Sequence, residues 1–455
     1  MTSKQVLVTY FTIAGLYTLA AAFIWGVNTL FLLDAGLDIF QVFIANAAFT
    51  AGSVLFEIPT GVLADSRGRR VSFLLSVGIL FATTLAYVGV AELGGGVIWF
   101  SSVSVLMGLG FTFYSGAVEA WLVDALNETD YRGSLDRVFA RGSMITSGAM
   151  LLGTVGGGLL GTVDLSLPYA LRAVMLAGVF AVAYFTMHDL GFTPSASRLS
   201  DLPRDMHRLA RTTVRFGWNQ PSIRLLTTYS FISWGFMTWA YYAWQPHFLD
   251  LLGEDAVWVA GIIAALISLS MVMGNALVDR LSRYCGRRST LLLWAAGIQS
   301  VAAIAIGLTS SFWLAVALFL IVAATLGVSG PVKQAFLHQL IPAQQRASVV
   351  SFDSMMASAG GTCGQSALGY LSRAASIQDA FVAGGIATLT SLPILTLLRR
   401  RSGPADAFAG EKVGPGKSCA PYGIPAISQL AAGSAPEPSP PVQCLSPRTP
   451  LHRHQ

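Results

Sequence analysis

Residues 57–70 read EIPTGVLADSRGRR: a glutamate in an apolar run, then Asp65, then three arginines around a glycine within four positions. On either side the chain is apolar for about twenty residues, from 41 to 64 and from 71 to 91. That length crosses a ~30 Å hydrocarbon core as a helix. A charged turn this short between two such runs describes a helical hairpin whose loop stands at a membrane surface.

The pattern extends outward. Spans are expected at 6–33, 41–64, 71–91, 97–122, 139–160, 168–187, 223–248, 256–279, 290–308, 312–337, 347–370 and 378–398. The fold class is therefore an all-α membrane protein of twelve transmembrane helices. Composition agrees: 54% of residues are hydrophobic and 11% charged, against about 25% charged in soluble domains, and the mean hydropathy is +0.61. The first span begins after Lys4 and is too long for the apolar core of a cleaved signal, so it is read as a retained helix.

Positive residues mark cytoplasmic loops. With the N-terminus inside, 26 of the 28 Lys and Arg residues fall in cytoplasmic segments, and only Arg172 and Arg373 fall outside. The expected location is a bacterial plasma membrane with both termini cytoplasmic. The net charge of +5 then reflects insertion, and no nucleic-acid partner is called for. Cys285, Cys363, Cys419 and Cys444 have neither metal-ligand spacing nor an extracellular framework, so no metal, disulfide or cofactor is expected.

The segment 188–222 is basic, contains Pro194, Pro203 and Pro221, and divides the spans six and six. The expected domains are a first bundle over 1–187, a cytoplasmic linker over 188–222, a second bundle over 223–401, and a disordered cytoplasmic tail over 402–455. The tail is rich in Pro, Gly, Ala and Ser and has too little apolar area to fold.

One half slides onto the other at a constant offset of 214 positions. Trp25 falls on Trp239, Asp65 on Asp279, Ser115 and Gly116 on Ser329 and Gly330, and Arg132 on Arg346. Chance similarity between apolar sequences would match Leu, Ala and Val instead. A six-helix unit repeated in parallel places a binding site at its interface, near the bilayer midplane.

The loop GVLADSRGRR at 61–70 resembles the signature loop GxLaDrxGRR of the major facilitator superfamily, and NALVDRLSRYCGRR at 275–288 looks like a lengthened copy. The resemblance implies two bundles rocking about a central cavity, lined by helices 1, 4, 7 and 10. It also implies a cytoplasmic latch built from Gly61, Asp65, Arg67, Gly68, Arg69 and Arg70, with Asp279 in the second copy. Gly61 is read as permitting close helix approach, and Asp124 is the expected partner of Arg67 or Arg69. GTVGGG at 153–158 is similar to the GPxxGG element of proton-driven multidrug exporters. Thr154 replaces its proline, Ser104 stands where many members carry an arginine, and small residues also serve ordinary helix packing.

Ionisable groups within a span mark function by default. Glu57 lies eight residues before Asp65, about 12 Å into the span, either as a proton carrier or as a structural partner of Arg141. Glu119 is the repeat counterpart of Lys333, and Asp124 of His338. Glu119 and Lys333 are expected either to pair as a gate or to leave Lys333 for an anionic substrate, with snorkelling as the bland alternative. Glu57 and Glu119, with Asp34 as a further candidate, are expected to carry coupling protons. In the aromatic run 234–247, Trp239 and Tyr242 are assigned to the cavity with Trp25 and Asn28, and Trp244 and His247 to an interfacial belt.

The partners implied are a small-molecule substrate, protons and the bilayer, and the chain is treated as a monomer. The function expected is proton-coupled efflux of amphipathic organic compounds. Uptake of a small anion or nutrient is the second reading, and a membrane sensor is the reading from another class. An enzyme is not expected: HExxH, GxSxG and P-loop motifs are missing from the sequence. In vesicles, E57Q and E119Q should weaken pH-gradient-driven flux; unchanged coupling in both variants would remove the two glutamates as proton carriers.

Overall fold

The chain is described by a computed structural model for residues 1–114, 117–133, 135–192, 218–253, 257–341 and 346–408. The elements before the expected linker are α1 Ser3–Trp25, α2 Asn28–Asp34, α3 Ile39–Arg67, α4 Arg69–Glu92, α5 Val97–Tyr114, α6 Ala117–Glu128, α7 Leu135–Gly161 and α8 Leu167–Thr186. After it come α9 Pro221–Leu252, α10 Val257–Cys285, α11 Arg288–Leu308, α12 Phe312–Leu340, α13 Arg346–Ala374, α14 Ile377–Leu389 and α15 Ser391–Arg401. A short 3₁₀ turn, Gly403–Asp406, follows. Residues 193–217 of the expected linker and 409–455 of the expected tail lie outside the described residues.

Among the described residues ten segments are long and apolar enough to cross a membrane. The helices α9 and α13, of 32 and 29 residues, are also long enough and miss the apolar criterion because they carry polar side chains into the interior. Asp353, Gln365 and Ser372 of α13 are buried, as are Ser230, Gln245 and His247 of α9. Helices fill the described residues because each backbone polar group in lipid must be satisfied within its own segment. Many serines and threonines follow the same rule: Thr60, Thr84, Thr154 and Ser300 each donate to the carbonyl four residues earlier.

The offset repeat appears as a repeated packing pattern. In the first half α3 packs on α5, α1 on α7 and α4 on α8; in the second, α10 packs on α12, α9 on α13 and α11 on α14. One apolar core lies wholly among residues 6–187 and another wholly among residues 223–398. Between them a third core joins Phe43 of α3 to α9, α10 and α12. The halves meet through α3 against α13 and α7 against α10. At the second crossing glycines set the distance: a Cβ on Gly158 would stand 2.7 Å from Gly261 Cα, too close to tolerate. The glycine run of α7 therefore serves helix packing, on α10 here and on Ala22 and Phe23 of α1 at Gly153 and Gly157. All these contacts lie toward the ends of the helices remote from the Arg-rich 67–70 and 280–288 turns, where Arg373 also reaches Asp38 at 3.5 Å.

Two expectations about ends need correction. Residues 402–408 are not a featureless start of the tail. Asp406, 1% exposed, accepts hydrogen bonds from Ser289 N (2.7 Å) and Ser289 Oγ (2.5 Å), while Arg288 donates to Ala407 O and lies over Phe408. The carboxylate thus caps the N-terminus of α11, where amides lack intrahelical partners and the helix dipole favours negative charge. The first half has the same device: Asp189, just beyond α8, accepts from Arg70 N at 2.8 Å, at the second position of α4. Second, it is Gly68 rather than Gly61 that allows close approach. Gly68 has φ +104°, and a Cβ there would strike the Asp189 carboxylate, whereas nothing among the described residues lies within 4 Å of a Cβ on Gly61.

Loss of a capping carboxylate costs about 0.5–2 kcal/mol. D406A should therefore lower the thermal midpoint of the detergent-solubilised protein, and truncation after Arg401 should lower it at least as far, while truncation after Phe408 leaves it unchanged. A D406A midpoint equal to that of the wild type would show that the cap contributes nothing.

Candidate functional site

The aromatic helix α9 divides its residues by helical periodicity. Ser230, Ser233, Trp234, Met237, Thr238, Tyr241 and Tyr242 face a cavity of about 370 Å³, closed on its other sides by Met271 of α10 and by Leu326, Ser329, Gly330 and Lys333 of α12. The opposite face, with Phe236, Trp239, Ala240, Ala243, Trp244 and Phe248, is packed into the apolar core. The cavity assignment of Trp239 is thereby corrected. Its side chain is fully buried against Phe43, Phe236 and Phe381, with ring centroids 4.8–6.2 Å apart. The belt assignment of Trp244 and His247 is corrected likewise: they are 2% and 0% exposed, among Phe248, Phe319 and Phe381. Trp239 follows Thr238 by one residue, and Trp244 and His247 follow Tyr242 by two and five, which rotates them away from the cavity-lining face into the packed core.

At one end of this cavity sits a charged triad. Lys333 Nζ donates to Asp353 Oδ2 at 2.6 Å and to Ser230 Oγ at 2.9 Å, and Ser230 Oγ donates to Asp353 Oδ1 at 2.6 Å. The side chains of Lys333 and Asp353 are 22% and 9% exposed. One ammonium and one carboxylate from α12 and α13, bridged by a hydroxyl from α9, cancel charge within the second half. Lys333 is thus neither a gate partner of Glu119 in this conformation nor an unpaired cation. Asp353 escaped the sequence reading, although it is an ionisable residue inside the expected span 347–370 and meets the criterion that singled out Glu57.

Glu119 lies in a separate cavity of about 420 Å³ in the first half, with Tyr10, Thr18, Tyr114, Phe139 and Ser143. Under the 214 offset Phe139 is the counterpart of Asp353, so the position that holds the lysine's partner in one half is apolar in the other. Glu57 and Arg141 are both exposed and make no ion pair with each other among the described residues. Asp34 is exposed at the end of α2, and Asp279 is exposed on α10. Among the described residues Asp124 makes no ion pair with Arg67, which is exposed. The signature loop meets, among the described residues, the carboxylate of Asp189 through Arg70 N. Arg70 also donates to Tyr184 O at 2.7 Å and lies over the Tyr184 ring. The side chain of Asp65 lies outside the described residues.

A third cavity, of about 280 Å³, is lined by Trp25 and Asn28, as expected, and shares Tyr242 with the first cavity. Trp25 packs on Tyr241 at 4.5 Å. Asn28 donates to Asn46 Oδ1 at 3.1 Å and accepts from the Tyr169 hydroxyl at 2.8 Å. Ser104 lines this cavity and bonds the Tyr87 hydroxyl at 2.6 Å. Arg172, within the expected span 168–187 toward its outer end, is 6% exposed on α8 and lines the same cavity.

The first span carries the most consequential feature that sequence reasoning missed. It breaks at Gly26–Val27, between α1 and α2, leaving backbone groups without helical partners. Gln245 of α9 meets both needs: Thr29 N donates to its Oε1 at 3.2 Å, and its Nε2 donates to Trp25 O at 3.1 Å. Thr29 Oγ1 then donates to Tyr242 O at 3.0 Å. An amide side chain, with donor and acceptor together, bridges the halves, and only the pairing of a break in one half with a glutamine in the other reveals it.

Comparison with known proteins is consistent with this architecture. The uncharacterized MFS-type transporter YxaM of Bacillus subtilis (strain 168) is 19% identical over 271 residues; the match covers 58% of this chain and spans 65% of that relative's length. Crystal structures of the nucleoside transporter NupG (TM-score 0.72, 11% identity, covering 87% of this chain and 99% of that one) and of the peptide transporter POT in complex with sulfate (TM-score 0.69, 16% identity, covering 89% and 96%) share the fold. The family profile described as Major Facilitator Superfamily matches residues 10–285 and 259–436. With a helical hairpin loop of the family's pattern, duplicated halves and a cavity within each, the chain belongs to the Major Facilitator Superfamily, whose members are membrane transporters.

Proposed function

We propose that the chain is a proton-coupled secondary transporter that exports amphipathic organic compounds by alternating access, oriented with the basic loops and both termini in the cytoplasm of a bacterial plasma membrane. The observation that carries this reading is the Lys333–Asp353–Ser230 triad beside a cavity walled by Trp234, Met237, Tyr241, Tyr242 and Met271. The rings and thioethers accept a flat apolar body without directional bonds. The triad supplies a carboxylate whose charge state governs its neighbour.

With the basic turns cytoplasmic, the contacts of α7 with α10 and α3 with α13 close the outer face, and the conformation is inward-facing. While Asp353 is ionised it holds Lys333. A proton taken up by Asp353 removes the charge that holds the ammonium and frees the ends of α12 and α13 to shift against α9. Glu119, in the first-half cavity, is the second carboxylate available for such exchange.

Flux of a panel of fluorescent aromatic dyes in reconstituted vesicles tests this. An imposed pH gradient should drive dye accumulation by the wild type. D353N, which fixes the neutral form, should lose gradient-driven accumulation yet keep dye exchange down its own gradient. Undiminished gradient-driven flux in both D353N and E119Q would contradict proton coupling at these carboxylates, and accumulation under the opposite gradient polarity would make the protein an importer.

Removing one partner of a buried pair strands the other, at a cost of roughly 3–5 kcal/mol. K333M should therefore lower the thermal midpoint markedly, and K333M/D353N should recover most of the loss. A double variant no more stable than K333M would show that the pair is not the coupled unit described.

A further inference from the structure

Among the described residues Arg172 is a buried cation without a counter-ion. It lies on α8, 6% exposed, its Nε has no hydrogen-bond partner, and among the described residues its guanidinium makes no hydrogen bond or ion pair. A charge in such a place is ordinarily matched by a carboxylate or carbonyl. The neighbours within electrostatic reach are the neutral tyrosines 17, 87 and 169. Tyr87 and Tyr169 already direct their hydroxyls to Ser104 and Asn28.

The guanidinium lines the cavity of about 280 Å³ described above, and no Asp or Glu lines it. A second orphan donor is present: Asn46, 5% exposed, uses its Oδ1 to accept from Asn28, while its Nδ2 has no partner. Two buried donors without acceptors thus line one cavity. The remaining walls include Phe49, Leu80, Met107 and Phe111. Lys333 does not compete for an anion in this conformation, because Asp353 and Ser230 hold it.

We infer that this cavity is a binding site for an organic carboxylate, with the anionic head on Arg172 and Asn46 and a flat apolar body against the phenylalanine and methionine wall. The planar guanidinium fork matches a carboxylate in two parallel hydrogen bonds. The site lies inside the first-half bundle, and its one contribution from the second half, Tyr242, also lines the larger cavity. A ligand seated on Arg172 therefore shares its cavity with a residue of the opposite half. The assignment deepens the proposed transport function by naming the class of cargo, and rests on that reading only for the step from ligand to cargo.

Equilibrium dialysis of the full-length protein in uncharged detergent, with no gradient, tests the binding itself. The probes are 2-naphthoate, the neutral 2-naphthamide of the same shape, and the cationic 2-naphthylmethylammonium. The wild type should bind naphthoate at least about tenfold more tightly than naphthamide, a difference of about 1.4 kcal/mol, and reject the cation. R172Q should lose this preference and R172K should keep part of it, with thermal melting showing that each variant is folded. Should R172Q fail to fold, the ligand series on the wild type and on R172K decides alone. Equal binding of naphthoate and naphthamide, no binding of naphthoate, or an unchanged preference in a folded R172Q would each overturn the assignment. Because no gradient is imposed, failure here leaves the D353N flux result standing, and failure of coupling there leaves naphthoate selectivity standing.

Discussion

A bilayer offers no water to a broken helix, so the break at Gly26–Val27 exists only because Gln245 satisfies it. This one amide joins α1 and α2 of the first half to α9 of the second. It brings Tyr242 beside Thr29, and Trp25 packs at a tilt on the neighbouring Tyr241. The two cavities that share Tyr242 meet at this seam. Around it the glycine crossing of α7 on α10 and the Gly369–Phe43 contact of α13 on α3 draw the halves together at one face. The hydrogen bonds at the seam can be exchanged for others when the halves rock, which apolar interdigitation cannot do as cheaply.

Duplication gave both halves the same frame and left their chemistry different. Each half caps the N-terminus of its third spanning helix with a carboxylate that follows its sixth, Asp189 on α4 and Asp406 on α11. In the interior the halves diverge. The second half pairs Lys333 with Asp353, whereas the counterparts in the first half are Glu119 and Phe139, and its buried cation, Arg172, enters from another helix altogether. A pathway lined this way presents a neutralised pair on one side and an unneutralised cation on the other.

The spans, the order of the helices and the repeat were legible because apolar length and matched polar residues are local signals. Trp239 was misassigned because a tryptophan at the counterpart of Trp25 says nothing of which helix face it occupies; two neighbouring turns of α9 decide that. Asp353 was readable as an intramembrane carboxylate, but its link to Lys333 depends on α12 and α13 lying side by side. Gln245, Asp406 and Arg172 acquire their roles from partners more than 100 residues away or from having none, and periodicity carries no trace of either. The signature loop was recognised from its pattern, but the contact of Gly68 and the Arg70 amide with a carboxylate that follows α8 depends on a partner 119 residues beyond Arg70.

The seam around Gln245 holds the face away from the basic loops closed. Spin-label distance measurements on the reconstituted protein test it, with one label pair at Asp34 and Asp250 on that face and another at Asn127 and Tyr284 on the basic face, all exposed positions. Replacing Gln245 with alanine should lengthen the first distance and shorten the second, as the population shifts toward conformers open on the other side. Distance distributions indistinguishable from those of the wild type at both pairs would contradict the account.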